Sequence, residues 1–153
     1  MRIALGSDHA GFELKEKVSA YLKSKGIEVE DFGTHTLERV DYPDFAEKVA
    51  MRVANHEAQY GILVCGTGLG MMLAANKVPG IRAVPANDTL SARMAREHND
   101  ANILTMGGRM IDEASMKKIV DTWLATEFAG GRHAVRIKKI DALDERSHLE
   151  AEE

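Results

Sequence analysis

Only one cysteine, Cys65, occurs in 153 residues. No disulfide can therefore close within a chain, and a reducing, cytoplasmic setting is expected. Aromatic residues make up 5% of the sequence, too few for a platform that stacks bases. Acidic residues outnumber basic ones 24 to 20, for a formal net charge of −4, so no basic excess points to nucleic acid. No apolar run approaches membrane-spanning length. The start, Met1-Arg2-Ile3-Ala4-Leu5, is too short and too quickly polar to read as a signal peptide. The six histidines (His9, His35, His56, His98, His133 and His148) show no metal-ligand spacing, and with a lone thiol no zinc site is expected. What remains is ordinary for a soluble globular protein: 44% hydrophobic and 29% charged, with length for one domain around a single core.

Short β-like runs alternate with helical patterns along the whole chain. Strands are expected at Arg2–Ser7, Ile27–Phe32, Gly61–Cys65, Ile81–Pro85 and Asn102–Met106. Ile27–Phe32 alternates apolar and acidic residues, which suits a sheet edge. Between the strands, Leu14, Val18, Tyr21 and Leu22 mark one helix, stopped by Gly26, and Phe45, Val49 and Val53 mark the next. Further helices are expected over Leu69–Lys77 and Asp88–His98, and along the stripe Met116, Ile119, Val120, Trp123 and Leu124, broken by Gly130-Gly131. A last helix starts near Arg132 and frays into an acidic tail over 143–153. Five β/α units in succession predict an α/β fold: one Rossmann-like, doubly wound domain with a five-stranded parallel sheet and helices on both faces.

Ligands of such sheets bind at the carboxyl ends of the strands, near the point where strand order reverses. Three polar or glycine-bearing turns follow strands directly: Ser7-Asp8-His9, Cys65-Gly66-Thr67-Gly68 and Gly107-Gly108-Arg109. They should converge on one edge. The segment Cys65-Gly66-Thr67-Gly68-Leu69-Gly70 ends a strand and opens a helix, so its backbone N–H groups can hold an anion. A cysteine beside them is a candidate base for moving a proton next to a carbonyl. It reads equally as a small buried residue closing a strand. The same glycines, with Asp88 about twenty residues on, also suggest a dinucleotide fingerprint. Their G-x-G-x-G spacing departs from it, and the chain has no room for a separate catalytic domain.

The remaining motifs are likewise double-edged. Asp8-His9 can cap the helix that follows, or hold sugar hydroxyls and a phosphate. Arg132 and Arg136 are four apart after Gly130-Gly131, so they share a helix face, where two guanidinium forks suit a phosphate. With Lys138 and Lys139 close by, they also read as a solvated basic face. His98-Asn99 ends a helix that feeds the fifth strand, which puts it on the opposite edge of the sheet from Cys65. It is either a helix cap or a catalytic pair that reaches the site of another subunit.

Taken together the motifs resemble the type B ribose-5-phosphate isomerases, grouped with the galactose-6-phosphate isomerase subunits. The resemblance rests on Gly6-Ser7-Asp8-His9-Ala10-Gly11-Phe12, Asp41-Tyr42-Pro43, Cys65-Gly66-Thr67-Gly68-Leu69-Gly70 and Ala74-Ala75-Asn76-Lys77. Gly80-Ile81-Arg82-Ala83, His98-Asn99-Asp100 and Gly130-Gly131-Arg132-His133 complete it in the same order. It implies a single sugar-phosphate isomerase domain over 1–153. It also implies an enzyme of the pentose phosphate pathway that interconverts an aldose and a ketose phosphate without metal or cofactor, acting as a homodimer or tetramer with composite sites. By the same resemblance Cys65 moves the proton between C1 and C2 through a cis-enediolate, and Thr67, Gly66, Gly68 and Gly70 stabilise the enediolate oxygens. His98, from the partner subunit, opens the sugar ring. Asp8, Tyr42 and Asn99 contact sugar hydroxyls. His9, Arg132 and Arg136 hold the phosphate, with Arg109 assisting across the interface. Some members carry a glutamate after the glycine loop in place of the cysteine; that position here is Met71, which puts the chain in the cysteine subgroup.

D-Ribose 5-phosphate and D-ribulose 5-phosphate are the expected pair. Allose 6-phosphate, galactose 6-phosphate or a tetrose phosphate is the alternative within the same chemistry, decided by pocket volume, with Thr34-His35-Thr36 as candidate lining. A non-enzymatic nucleotide-binding module is the alternative outside it.

Overall fold

The computed structural model describes the backbone of residues 1–152 and the side chains of residues 1–144. Most of the acidic tail expected over 143–153 thus lies outside the described side chains. Five strands form the sheet: β1 (Arg2–Ser7), β2 (Glu28–Asp31), β3 (Tyr60–Cys65), β4 (Ala83–Pro85) and β5 (Ile103–Gly107). All neighbours pair in parallel, in the order β2-β1-β3-β5-β4. The acidic-alternating strand is therefore an edge. The chain lays β2 to one side of β1 and β3 to the other, so strand order reverses between β1 and β3. Asp8 and Cys65 follow and end those two strands.

Alternate side chains of the central strands are buried on both faces, as an all-parallel sheet requires. Ile3, Leu5, Ile62, Val64, Leu104 and Met106 pack with α1 (Phe12–Ser24), α4 (Thr89–Glu97) and α5 (Glu113–Ala125) through Leu14, Val18, Leu22, Ala92, Met116, Ile119 and Trp123. Ala4, Leu63, Cys65 and Ile103 face the other way, onto α2 (Tyr42–Ala54) and α3 (Leu69–Ala75) through Ala46, Val49, Val53, Met71 and Ala75. Each fully buried aliphatic side chain contributes roughly 1.5–3 kcal/mol. Among the described residues no helix is long and apolar enough to cross a membrane.

Several elements stop short of their expected ends, each for a local reason. α3 ends at Ala75 because Asn76 turns to Ala83, accepting its N–H at 2.8 Å and donating to its carbonyl at 2.9 Å. β4 begins at Ala83 because the Arg82 N–H is drawn to Asn102 Oδ1 at 2.8 Å. α5 ends at Ala125, well before the double glycine, where Thr126 turns extended (φ −99°, ψ 124°). The intervening strand of chain docks on α4, the Ala129 N–H donating to the Glu97 carbonyl at 3.0 Å. α6 (Arg132–Glu152) then packs on the segment that leads into β4, held by Arg82 on Asp141 (3.2 Å) and by the Gly80 N–H on Asp144 (2.9 Å).

Candidate active site

The carboxyl edge gathers the three strand-end turns. After β1, the Asp8 carboxylate accepts the Gly11 N–H at 2.9 Å, closing the turn that leads into α1. Gly11 has no room for a side chain, since a Cβ would lie 2.2 Å from the Val64 carbonyl oxygen; the first turn therefore lies directly on the end of β3. His9 Nδ1 accepts the Val40 N–H at 3.2 Å.

After β3, the buried Cys65 Sγ accepts the Gly68 N–H at 3.1 Å. Gly68 is left-handed at φ 85°, a conformation open to glycine at little cost. That turn lets the chain reverse into α3 with its N–H aimed back at the sulfur. The donor is thus held against the sulfur by the turn itself. The turn is held from below, where the Thr105 hydroxyl donates to the Gly68 carbonyl at 2.8 Å. Thr67 is exposed and its hydroxyl accepts the Leu69 N–H at 3.3 Å. The Tyr42 ring rests on Gly70, where a Cβ would lie 2.7 Å from it. Arg109, expected to assist across a subunit interface, lies beside Gly66 of its own chain: a Cβ there would meet Arg109 Cδ and Nη1 at 3.6 Å. The backbone beneath is tied by Gly108 N–H on the Cys65 carbonyl (2.7 Å) and Arg109 N–H on the Gly66 carbonyl (3.1 Å).

The fold thus brings Asp8, His9, Tyr42, Cys65, Gly66, Thr67, Gly68, Gly70 and Arg109 to one edge. It does not bring His98, Asn99, Arg132 and Arg136 there. His98 caps the C-terminus of α4 and leads into β5 at its amino end. The five residues of β5 separate the edges by roughly 16 Å at about 3.3 Å per residue.

The amino-edge group has its own framework, which the sequence reading did not identify. Asp100, at φ 44°, accepts from Arg96 Nη1 at 3.0 Å, and Arg82 Nε donates to the Asp100 carbonyl at 3.0 Å. This pins the turn that presents His98 and Asn99. His133, in the first turn of α6, stacks on His98 with ring centroids 4.3 Å apart and planes 11° from parallel. Partial desolvation, then the neighbouring His98, Arg132 and Arg136, hold the His133 imidazole below its ordinary pKa, against a weaker opposing pull from Glu97. Arg132 and Arg136 are exposed beside it, forming a cationic face with no acid of their own among their described hydrogen bonds.

Two other features bear on what the site can hold. A cavity of about 570 Å³ runs along the start of α2, lined by Val40, Asp41, Asp44, Phe45, Glu47 and Lys48. Its three carboxylates disfavour a phosphate, and no residue of the cysteine turn lines it. Asp88, the acidic residue that a dinucleotide fingerprint would need, is committed to capping α4 through the Ser91 N–H at 2.7 Å. That hydrogen bond holds its carboxyl below the usual range.

Comparison with known proteins gives the family and the fold. The family model described as Ribose/Galactose Isomerase matches residues 3–140. Ribose-5-phosphate isomerase B of Escherichia coli is 48% identical over 145 residues, covering 95% of this chain and 97% of the relative. D-erythrulose-4-phosphate isomerase of Pectobacterium atrosepticum is 43% identical, covering 92% and 93%. The solved structure of ribose-5-phosphate isomerase B from Clostridium thermocellum superposes with a TM-score of 0.95 at 54% identity, covering 96% and 99%. Fold, motif order and sequence all lead to one assignment: the chain belongs to the ribose/galactose isomerase family.

Proposed function

We propose that this isomerase interconverts D-ribose 5-phosphate and D-ribulose 5-phosphate in the cytoplasm, as a step of the pentose phosphate pathway, with its active site shared between two copies of the chain. The observation that carries the reading is the Cys65 thiol, at the end of β3 beside the switch point, with the Gly68 N–H donated to its sulfur. The thiolate takes the proton from C2 of the open-chain aldose, giving a cis-enediolate. The resulting thiol returns a proton to C1 while the hydroxyl proton of O2 passes to O1, so the ketose forms, the base is regenerated and no group is lost. Charge develops on the two enediolate oxygens, where the Gly66 and Gly70 N–H groups and the Thr67 hydroxyl supply donors; the Gly68 N–H stabilises the sulfur. Preorganised donors of this kind typically contribute several kcal/mol to a barrier.

The second copy supplies what this edge lacks. His98 opens the furanose ring by moving a proton between the ring oxygen and the C1 hydroxyl, steadied by its stack on His133. Asp8, Tyr42 and Asn99 hold sugar hydroxyls. His9 grips the phosphate from one chain and Arg132 and Arg136 from the other, with Arg109 nearby. Apolar surface supports such a pairing. Leu69 and Leu73, on the helix that starts at the cysteine turn, are exposed. On the other edge Ile140 and Leu143 line a cavity of about 340 Å³ that Asn99 also borders.

A four-carbon substrate is the second reading, favoured by the 43% identity to an erythrulose-4-phosphate isomerase. Comparing kcat/KM for four-, five- and six-carbon aldose phosphates separates the two. The ribose reading expects the five-carbon substrate to lead, and a tetrose phosphate ahead of it overturns that assignment.

A further inference from the structure

Lys15 is a fully buried charged side chain that the proposed chemistry leaves unused. It lies on the inner face of α1 with Val18 and Leu22, and its side chain is 0% exposed. Its ammonium donates to both oxygens of Asp31 (2.9 and 2.8 Å) and to the Thr34 carbonyl at 2.7 Å. Glu16 Oε1 lies at 3.2 Å and the Phe12 ring centroid at 5.3 Å. Burying an ammonium is costly, and a buried ion pair is a poor device for stability because an apolar side chain of similar volume often does as well. What the ammonium adds is direction. Its hydrogen bonds join α1 to two points on one segment, the end of β2 and the chain just beyond it.

That segment is a strap across the carboxyl edge. The Gly33 N–H donates to Asp31 Oδ1 at 2.8 Å. The Ser7 N–H donates to the Gly33 carbonyl at 2.7 Å, and the Thr34 N–H to the Ser7 carbonyl at 2.8 Å. The strap is thus fastened to the last residue of β1, one residue before Asp8. Residues 35–39 are exposed, and the chain is caught again at Val40, whose N–H donates to His9 Nδ1 at 3.2 Å. A ring nitrogen that accepts an N–H carries no proton, so the proton of the neutral imidazole sits on Nε2. Nε2–H is the donor that a phosphate oxygen needs.

We propose that Lys15 is a positioning residue for substrate binding: it fixes one end of the Gly33–Val40 strap, and the other end fixes His9 as an Nε2–H donor. The inference rests on the reading of His9 as a phosphate ligand. Loss of the lysine's hold on the strap would leave the cysteine turn intact and the phosphate grip loose, so the effect falls on KM rather than on kcat.

The test is a cycle of variants assayed with D-ribose 5-phosphate and with inorganic phosphate as inhibitor. Lys15→Met strands the Asp31 charge, so the informative variant is Lys15→Met/Asp31→Asn, which removes both charges together. It is expected to recover the melting temperature lost in Lys15→Met, yet to keep KM and the phosphate inhibition constant about tenfold above the parent, with kcat within threefold. In a His9→Ala background the same pair should add less than twofold to KM, because the two changes break one linkage. A KM that returns with stability overturns the proposal, as do penalties that multiply in the His9→Ala background. If His9→Ala leaves phosphate inhibition unchanged, the phosphate reading of His9 falls instead. Should the Lys15 variants not fold, nitrogen–proton correlation of the imidazoles in the unmodified chain decides: the proton of His9 is expected on Nε2, and its presence on Nδ1 overturns the proposal.

Discussion

The imidazoles of His98 and His133 lie face to face, 4.3 Å between centroids and 11° from parallel. One ring caps α4 and the other opens α6, so the stack fixes the angle at which these two helices present the amino edge. Two protonated rings at that distance repel, and Arg132 and Arg136 add to the positive field on His133.

The sign of the pH effect follows. The His133 imidazole is held below its ordinary value of 6.5, so the unfolded chain takes up the proton first as pH falls. The stability it contributes is complete above pH 6.5 and is lost progressively below it, down through the lower folded-state value. His133→Gln should flatten the fall in unfolding midpoint between pH 7.5 and 5, measured at one fixed protein concentration. Equal slopes in the two proteins would count against the stacked arrangement.

Gly68→Ala tests the cysteine turn without touching the thiol. The added Cβ would meet the Met106 backbone at 3.0 Å, at a residue with φ 85°. Alanine at positive φ destabilises by more than about 1 kcal/mol, and the N–H would swing away from Sγ. A lower melting temperature and a kcat at least tenfold down are expected. Unchanged kcat in the folded variant would show that the Gly68 hydrogen bond does not serve the base.

Gly70→Ala should act differently. Its Cβ would lie 2.7 Å from the Tyr42 ring, which is 38% exposed and has room to move away. Tyr42 is then displaced from the sugar, so KM should rise about tenfold with little change in melting temperature. A steady-state assay beside a thermal melt separates this from a folding defect.

On the amino edge, Asp100→Ala leaves the Arg96 guanidinium, whose side chain is 7% exposed, without its carboxylate partner. Because Asp100 is itself one-third exposed, a loss of about 1–3 kcal/mol is expected, less than for a fully buried pair. Asp100→Asn keeps the turn's tolerance of positive φ and should retain more of both stability and activity. Denaturant titration of the two variants checks the order.

The parallel sheet was legible because its strands are apolar runs set between helical stripes; Ile62 to Cys65 and Ile103 to Met106 needed no partner to be recognised. The convergence of Asp8, Cys65 and Arg109 followed from chain order alone, and so did the displacement of His98 to the far edge. The side on which Arg132 and Arg136 fall was not legible. It depends on Ala129 docking on Glu97 and on Arg82 reaching Asp141, contacts between segments far apart in sequence. Lys15 was hidden for a related reason. Within Lys15-Glu16-Lys17 it reads as a surface lysine, and only the helix's rotation toward Asp31 and Thr34 buries it.

The central claim is a proton-transfer site divided between two chains, with Cys65 from one and His98 from the other. Removing a general base or acid typically costs about a hundred- to ten-thousandfold in rate, so Cys65→Ala and His98→Ala chains should each be nearly inactive with D-ribose 5-phosphate. Co-expressed with different tags and purified through both, the heterodimer should carry one intact site and about half the activity per dimer of the parent. A pure heterodimer that stays as inactive as either variant alone would contradict the shared site.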